Sequence, residues 1–307
     1  MTIAITGGTG FIGAAVVKQA LLNNDLPVVL IRKDSNLKRL KDVKGIEFIT
    51  YEKLNDAMLV LQLKTLQPES FIHLAWKGVG GADRNAAFQI TENIPFTLQS
   101  VELAKQVGCN HWTGIGSQAE YGNLNCKIDE GFATRPTTLY GKAKLSACWA
   151  SAGLCDALNI SSSWIRVFST YGVGDEPKWF IPYIIGELLQ HKLPSLTKCE
   201  QLWDYLYVDD TADAILSVVH KKLNGIYNIG TGKALPLKYI IDTIRNEINP
   251  AIEINYGAVP YRPDQVMHLE ADVSKIYAAT GWKYKITIEE GIKKIVSNIQ
   301  QSQLNEI

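Results

Sequence analysis

Cysteine is scarce and badly spaced for chemistry. The five in 307 residues (Cys109, Cys126, Cys148, Cys155, Cys199) are an odd number and form no C-x-x-C pair, which argues against a disulfide framework or a zinc cluster and leaves plain thiols. Net charge is missing altogether. Thirty-one basic residues balance 31 acidic ones, so nothing draws the whole molecule to nucleic acid or to an anionic membrane, and any anion site must be local. No uncharged apolar run approaches the ~18 residues needed to span a bilayer, and no basic segment with a long apolar stretch precedes the opening strand pattern TIAIT. A cytoplasmic location is expected. With 46% apolar and 20% charged residues, the chain has too much to bury for disorder and enough for one large or two modest domains. Its partner should be a small molecule.

What the chain has is alternation. Short strand-like runs stand at 2–6, 27–32, 46–50, 70–76, 111–117 and 161–168, and helical patterns lie at about 11–24, 56–66, 84–107 and 138–158. Strands separated by helices of this length are βαβ units, which build a parallel sheet. Beyond Ser169 the regularity loosens: a helix at 179–190, a strand running into a helix at 203–219, a strand and turn at 226–232, and a helix at 235–248, with proline and aromatic residues scattered among them. That suits a smaller domain closing over a ligand.

Directly after the first strand comes TGGTGFIG, with Gly7, Gly10 and Gly13 at G-x-x-G-x-x-G spacing and Thr9, Phe11 and Ile12 between them. The first glycine permits a tight turn, the second lets backbone approach a pyrophosphate, and the third lets the helix pack closely on the strand, its N-terminus facing the anion. The expected fold is therefore an α/β, Rossmann-type doubly wound parallel sheet with a smaller α/β C-terminal substrate domain. The dinucleotide domain is assigned to 1–168 plus about 203–232, the second domain to 169–202 and 233–307. Where an NAD site usually carries an acid, at the end of the second strand, this chain has Arg32 and Lys33. Two cations suit a 2′-phosphate, so NADP(H) is preferred; Asp34 taking the ribose instead would leave NAD(H) possible.

At 140–144 the chain reads YGKAK, early in a helix. Positions i and i+4 share a face, so Tyr140 and Lys144 meet the same ligand. An adjacent ammonium is expected to lower the phenol from its usual pKa near ~10 and make it a general acid or base. Parallel strands end at one edge, which puts Ser117, closing HWTGIGS, beside Tyr140 and the nicotinamide. The surrounding GIGSQAEYGN is no hydrolase G-x-S-x-G, because Ile115 and Ala119 occupy the glycine positions.

With these motifs the chain resembles the extended short-chain dehydrogenase/reductase family, in its NAD-dependent epimerase/dehydratase branch, whose members act on nucleotide sugars. TGGTGFIG, FIHLAW, the Ser117, Tyr140 and Lys144 set, RVFSTYGVGD, LYVDDTADAI, NIGTG and YRPDQV all match in order. The resemblance implies Tyr140 as acid/base, Lys144 on the nicotinamide ribose, and Ser117 on the reacting sugar oxygen. It implies Leu74, Ala75 and Trp76 as cofactor contacts, Gln118, Ser169, Trp179 and Phe180 as substrate contacts, and Arg262 as the diphosphate clamp. His73 is expected to be structural, and Asp209 with Asp210 to cap a helix starting at Thr211 rather than to bind metal; no metal site is expected. Glu120 should shape its loop or touch the sugar, and Tyr121 is not the lysine-coupled tyrosine. Loop 77–85 and Tyr183 are further candidates for closing over the sugar. Helices 84–107 and 138–158 imply a homodimer.

Departures from the branch narrow the chemistry. Dehydratases carry Asp-Glu directly after the hydroxyl residue, where this chain has Gln118 and Ala119, and Ser169 stands where an asparagine is usual. GSQAEYG looks most like enzymes that reduce a nucleotide-linked 4-keto-6-deoxyhexose, such as CDP-abequose synthase and dTDP-fucose-forming 4-ketoreductases. The expected function is NADPH-dependent reduction of such a ketone. The alternatives are an NAD-dependent 4-epimerase and, from another class, a non-catalytic dinucleotide sensor, although such sensors commonly lose the tyrosine or lysine retained here.

Overall fold

The runs at 2–6 and 26–31 are apolar without alternation, a pattern that needs cover on both faces of a sheet. A computed structural model describes the backbone of residues 1–304, with side chains through residue 301. Its first half runs β1 (Thr2–Thr6), α1 (Phe11–Leu22), β2 (Leu26–Ile31), β3 (Glu47–Thr50), α2 (Ala57–Leu66), β4 (Ser70–His73), α3 (Phe88–Thr91), α4 (Asn93–Gln106), β5 (His111–Ser117), β6 (Cys126–Ile128) and α5 (Leu139–Ala157). There follow β7 (Ser161–Val167), β8 (Ser169–Tyr171), α6 (Phe180–Leu189), β9 (Leu202–Trp203), β10 (Tyr205–Tyr207), α7 (Val208–His220), β11 (Gly225–Ile229), β12 (Leu235–Pro236), α8 (Leu237–Ile248), β13 (His268–Ala271), α9 (Ser274–Thr280) and α10 (Ile288–Leu304).

Seven strands form one sheet in the order β11-β7-β5-β4-β1-β2-β3, every pairing parallel. The order reverses between β4 and β1, and a ligand crevice opens at such a reversal, outside the carboxyl ends of the strands. Helices α1 and α7 pack on each other over one face, α4 and α5 over the other. Two apolar cores result, one around Val16, Val17 and Ile215, the other around Val101, Ala104 and Trp112. All five cysteines are free thiols; burial pushes those of Cys109, Cys148 and Cys155 up to about 12.

The second body is built on a four-stranded sheet, β12-β9-β13-β6, beside the parallel pair β10-β8. The chain crosses between the bodies more often than a split into 1–168, 169–202, 203–232 and 233–307 expects. β6 leaves the first segment to pair with β13, in register Leu269 with Cys126, because the Asn125 side chain accepts the N–H groups of Met267 and His268 and Lys127 pairs with Glu270. β9 and β10 likewise belong to the small sheets, whereas α7 and β11 rejoin the large one. Residues 305–307 of the expected second domain lie outside the described residues.

The helix expected over 84–107 is two. Gln89 and Asn93 spend their side chains on the backbone of the preceding loop: Gln89 Nε2 donates to the carbonyls of Gly78 and Asp83, and Asn93 bonds both the N–H and the C=O of Lys77. Pro95, in the first turn of α4, has no N–H to lose there.

One carboxylate ties the bodies together. Fully buried Asp204 accepts the N–H and hydroxyl of Thr231, at 2.8 and 2.6 Å, and the N–H groups of Gly232 and Ala271, both at 3.1 Å. Asp204→Ala would strand three backbone donors, one buried and two part-buried, at roughly 1–3 kcal/mol each. A loss of at least about 3 kcal/mol is expected in urea denaturation, with Asp204→Asn, which keeps one acceptor oxygen, losing less.

Candidate functional site

At the end of β1 the backbone of Gly7 turns through φ +73°, and a Cβ there would stand 2.5 Å from the Ala75 nitrogen. A Cβ on Gly13 would stand 2.1 Å from the Gly7 carbonyl oxygen, so no larger residue lets α1 start so close to the strand. Gly10 is the N-cap and supplies no side-chain bond, which leaves the first-turn N–H groups of Phe11 and Ile12 pointing outward with the positive end of the helix. Thr9 and Gly10 lead into this helix end, and Leu74 and Ala75, after β4, lie against Gly7, with Trp76 next in the chain. A helix N-terminus left open in this way fits the pyrophosphate of a dinucleotide. Arg32 and Lys33 follow the end of β2 on the same edge; Arg32 Nε lies 3.6 Å from Asp34 in a solvent-exposed pair, which binds the guanidinium weakly.

Ser117 ends β5 on that edge, and α5 begins after Thr138, whose hydroxyl accepts the Gly141 N–H. Tyr140 and Lys144 are both buried on α5, and the Ser117 side chain lies close enough to the Tyr140 phenol to act on its ionisation. Ser117 and Tyr140 are thus neighbours, with Lys144 one turn further along α5. Their electrostatics differ from expectation. Lys144 Nζ donates to the Ile115 carbonyl at 2.6 Å and sits 3.7 Å above the Trp76 ring, and burial pulls its pKa down to about 7 against the raising charge of Glu120. The Tyr140 phenol is pushed up, not down: burial, with the charge of Glu120, outweighs the Ser117 side chain and the charge of Arg84, which lower it.

Two supports complete the site; neither the Arg166 partner of the first nor the second was foreseen from the sequence. Glu120 is fully buried and touches no solvent: Oε2 accepts Arg166 Nε at 2.7 Å, and Oε1 accepts the Ser117 N–H at 2.8 Å and Trp164 Nε1 at 2.9 Å. It shapes the loop, as one reading held. A Cβ on Gly116 would meet Trp164 Nε1 at 2.1 Å and Glu120 Oε1 at 2.4 Å, so the glycine makes room for this network. Gln89 Oε1 accepts Trp76 Nε1 at 2.8 Å and holds the ring on which Lys144 rests. An arginine between Ile165 and Val167 in the strand run SSSWIRVF was the available signal for the first; Gln89 offered none.

Residues 3–230 match the family model described as NAD dependent epimerase/dehydratase family. The chain belongs to that family. Among known proteins, it is similar to the dTDP-glucose 4,6-dehydratase of Salmonella typhimurium, at 30% identity over 338 positions covering 96% of this chain and 92% of that one. It is also similar to the dTDP-4-dehydro-6-deoxyglucose reductase of Escherichia coli, at 24% over 322 positions and 97% of each chain. The solved UDP-N-acetylglucosamine 4-epimerase from Methanobrevibacter ruminantium M1, in complex with UDP-N-acetylmuramic acid, shares the fold, with a TM-score of 0.85 at 22% identity over 98% of both chains.

In this member of the NAD dependent epimerase/dehydratase family the residues expected at the substrate lie on separate elements. Ser169 Oγ accepts Trp203 Nε1 at 2.7 Å, so that hydroxyl is partly engaged. Gln118 and Ala119 form the 3-10 turn after Ser117, with Ala119 buried. Trp179 is the N-cap of α6, Phe180 packs on the main core, and Tyr183 is exposed. Arg262 is exposed on the loop before β13 and makes no ion pair among the described residues; no bond joins it to Ser117 or Tyr140. Loop 77–85 reaches the second body, where a Cβ on Gly80 would lie 3.5 Å from Lys178 Nζ.

Asp209 and Asp210 do not cap a helix. α7 begins at Val208, and Asp210 Oδ2 instead accepts the N–H groups of Lys285 and Ile286, because the strand β10 runs into the helix without the turn a cap needs. Tyr121 is buried with its hydroxyl on Asn228 Oδ1 at 2.7 Å. His73 is buried with one ring nitrogen 2.8 Å from the Thr6 hydroxyl and the other 3.3 Å from that of Thr97, and burial lowers its pKa from 6.5 to about 3. Its role in the strand is structural. A depressed histidine contributes stability that is whole above 6.5 and is lost as pH falls toward about 3. Relative to His73→Asn, folding stability of the native chain should fall by an additional 2 kcal/mol or so between about pH 6.5 and about pH 5, read from urea unfolding at each pH.

Proposed function

We propose that the protein reduces the C4 ketone of a nucleotide-activated 4-keto-6-deoxyhexose with NADPH, in cytoplasmic deoxysugar and polysaccharide-precursor biosynthesis. One observation carries the reading. The positions after Ser117 hold an amide and a buried methyl, Gln118 and Ala119, which cannot exchange the protons a 4,6-dehydration needs, while the Ser117, Tyr140 and Lys144 set that serves hydride chemistry is intact. The full-length likeness to a named keto-sugar reductase supports it, as does the cationic pair Arg32 and Lys33, suited to a 2′-phosphate.

The cofactor would be held by the Gly7–Gly13 cradle, by Leu74, Ala75 and Trp76, and by Arg32 and Lys33, and it supplies hydride to the sugar carbonyl carbon. Tyr140 then gives its proton to the oxygen that gains charge, and Ser117 holds that oxygen by a hydrogen bond. Lys144 offsets the charge left on the phenol and binds the nicotinamide ribose. A phenol kept above its ordinary pKa stays protonated near neutrality, which suits a proton donor. Arg262 would close on the diphosphate, with Ser169, Trp179 and Phe180 around the sugar. A homodimer through α4 and α5 fits the exposure of Trp149, 63%, on the outer face of α5.

The second reading is an NAD-dependent 4-epimerase, which needs the same three residues and no acid pair; the exposed Asp34 beside Arg32, free to take a ribose hydroxyl, favours it. Mixing the protein with CDP-, dTDP-, GDP- and UDP-linked 4-keto-6-deoxyhexoses while following NADPH and NADH absorbance separates the two: the reductase consumes NADPH stoichiometrically, the epimerase consumes none. Tyr140→Phe should lower turnover at least ~100-fold with NADPH affinity nearly unchanged; near-normal turnover would remove the assignment. Arg32→Ala with Lys33→Ala should erase preference for NADPH over NADH in direct binding.

A further inference from the structure

Three arginines of this molecule are committed to carboxylates: Arg39 to Glu176, Arg166 to Glu120, Arg245 to Asp242. Arg84 is committed to none among the described residues. Its Nε is buried without a hydrogen-bond partner, and its Cζ stands 5.5 Å from the centre of the Tyr140 ring. The backbone holds it there from both sides. The Arg84 carbonyl accepts the Tyr140 N–H at 2.7 Å, Asn85 Oδ1 accepts the Leu139 N–H at 3.0 Å, and Gln89 anchors the loop through Asp83 and Gly78. Arg84 and Tyr140 are thus fixed together at the start of α5.

We propose that Arg84 is a positioning residue for the proton-transfer tyrosine: its guanidinium, laid beside the ring and unspent on any carboxylate, supplies the standing positive charge that favours the phenolate of Tyr140. The proposal rests on the assignment of Tyr140 as proton donor. The other charged groups around the site are otherwise engaged. Glu120 is paired with Arg166, and what remains of its charge raises the phenol rather than lowering it; His73 stays uncharged at the end of β4, and Lys144 is drawn to the Ile115 carbonyl and the Trp76 face. Burial leaves the lysine only partly charged near neutrality, whereas a guanidinium keeps its charge throughout. The charge of Arg84 already acts on the phenol in the lowering direction, against burial.

The test needs no sugar. Tyrosinate ultraviolet absorbance is followed from neutral to alkaline pH in the native protein, Arg84→Gln and Arg84→Lys, and in each of these with Tyr140→Phe added, so that every difference isolates Tyr140. Circular dichroism and NADPH affinity establish that each variant folds. The Tyr140 midpoint should rise by about one pH unit, tenfold in proton affinity, in R84Q, or leave the accessible range, while R84K keeps most of the native value. An equal midpoint in R84Q and the native protein overturns the proposal. So does an R84K midpoint displaced as far as that of R84Q, or a native Tyr140 that does not ionise below the alkaline unfolding limit. If no keto-sugar is reduced, the titration still decides the role of Arg84; if one is reduced and the midpoint does not move, only Arg84 falls.

Discussion

The buried carboxylate of Glu120 is the interaction on which the site depends. It is taken out of water together with Arg166, at 2.7 Å, and its remaining lone pairs go to the Ser117 backbone and the Trp164 indole. Replacing a buried ion pair by apolar residues often costs nothing, whereas removing one partner typically costs about 3–5 kcal/mol. The pair is therefore better understood by what it positions than by what it adds to stability. It bends the chain out of β5 at Ser117, joins β5 to β7 through a side chain as well as through the ladder, and turns Tyr121 inward under the Arg166 guanidinium, 4.4 Å above the ring.

A second chain of contacts runs from Gln89 to Trp76 to Lys144. It explains why an i, i+4 pair does not behave as one in isolation. The lysine is placed by an aromatic face and a carbonyl from β5, so its influence on Tyr140 passes through burial and geometry more than through direct charge. The polar cluster is dry enough to move both groups from their ordinary values in opposite directions: the phenol up and the ammonium down.

Features written in local spacing were legible in the sequence. The glycine triplet, the apolar strands and Tyr140 with Lys144 are each set by short-range stereochemistry, and they occur where expected, including Ser117 within reach of Tyr140. What escaped was set by partners distant along the chain. Arg166 and Glu120 are 46 residues apart, and Asp204 answers donors 27 and 67 residues on. The same cause lies behind the corrected elements. Helix 84–107 breaks because Gln89 and Asn93 serve a loop, and Asp210 leaves the capping role because it is claimed by the backbone of Lys285 and Ile286. Domain limits blurred for a similar reason: three residues of β6 are too few to announce which sheet they join.

The repeated crossing of the chain between the two bodies has a mechanical consequence. A cleft whose halves share one linker can swing like a book, but here β6 leaves the large sheet between β5 and α5, β9 and β10 are sewn into the small sheets before α7 and β11 rejoin the large one, and Asp204 knots the seam. Such a joint resists hinging. Entry and exit of a bulky ligand would then fall to the border of the cleft, where loop 77–85 meets Lys178, rather than to motion of the bodies themselves.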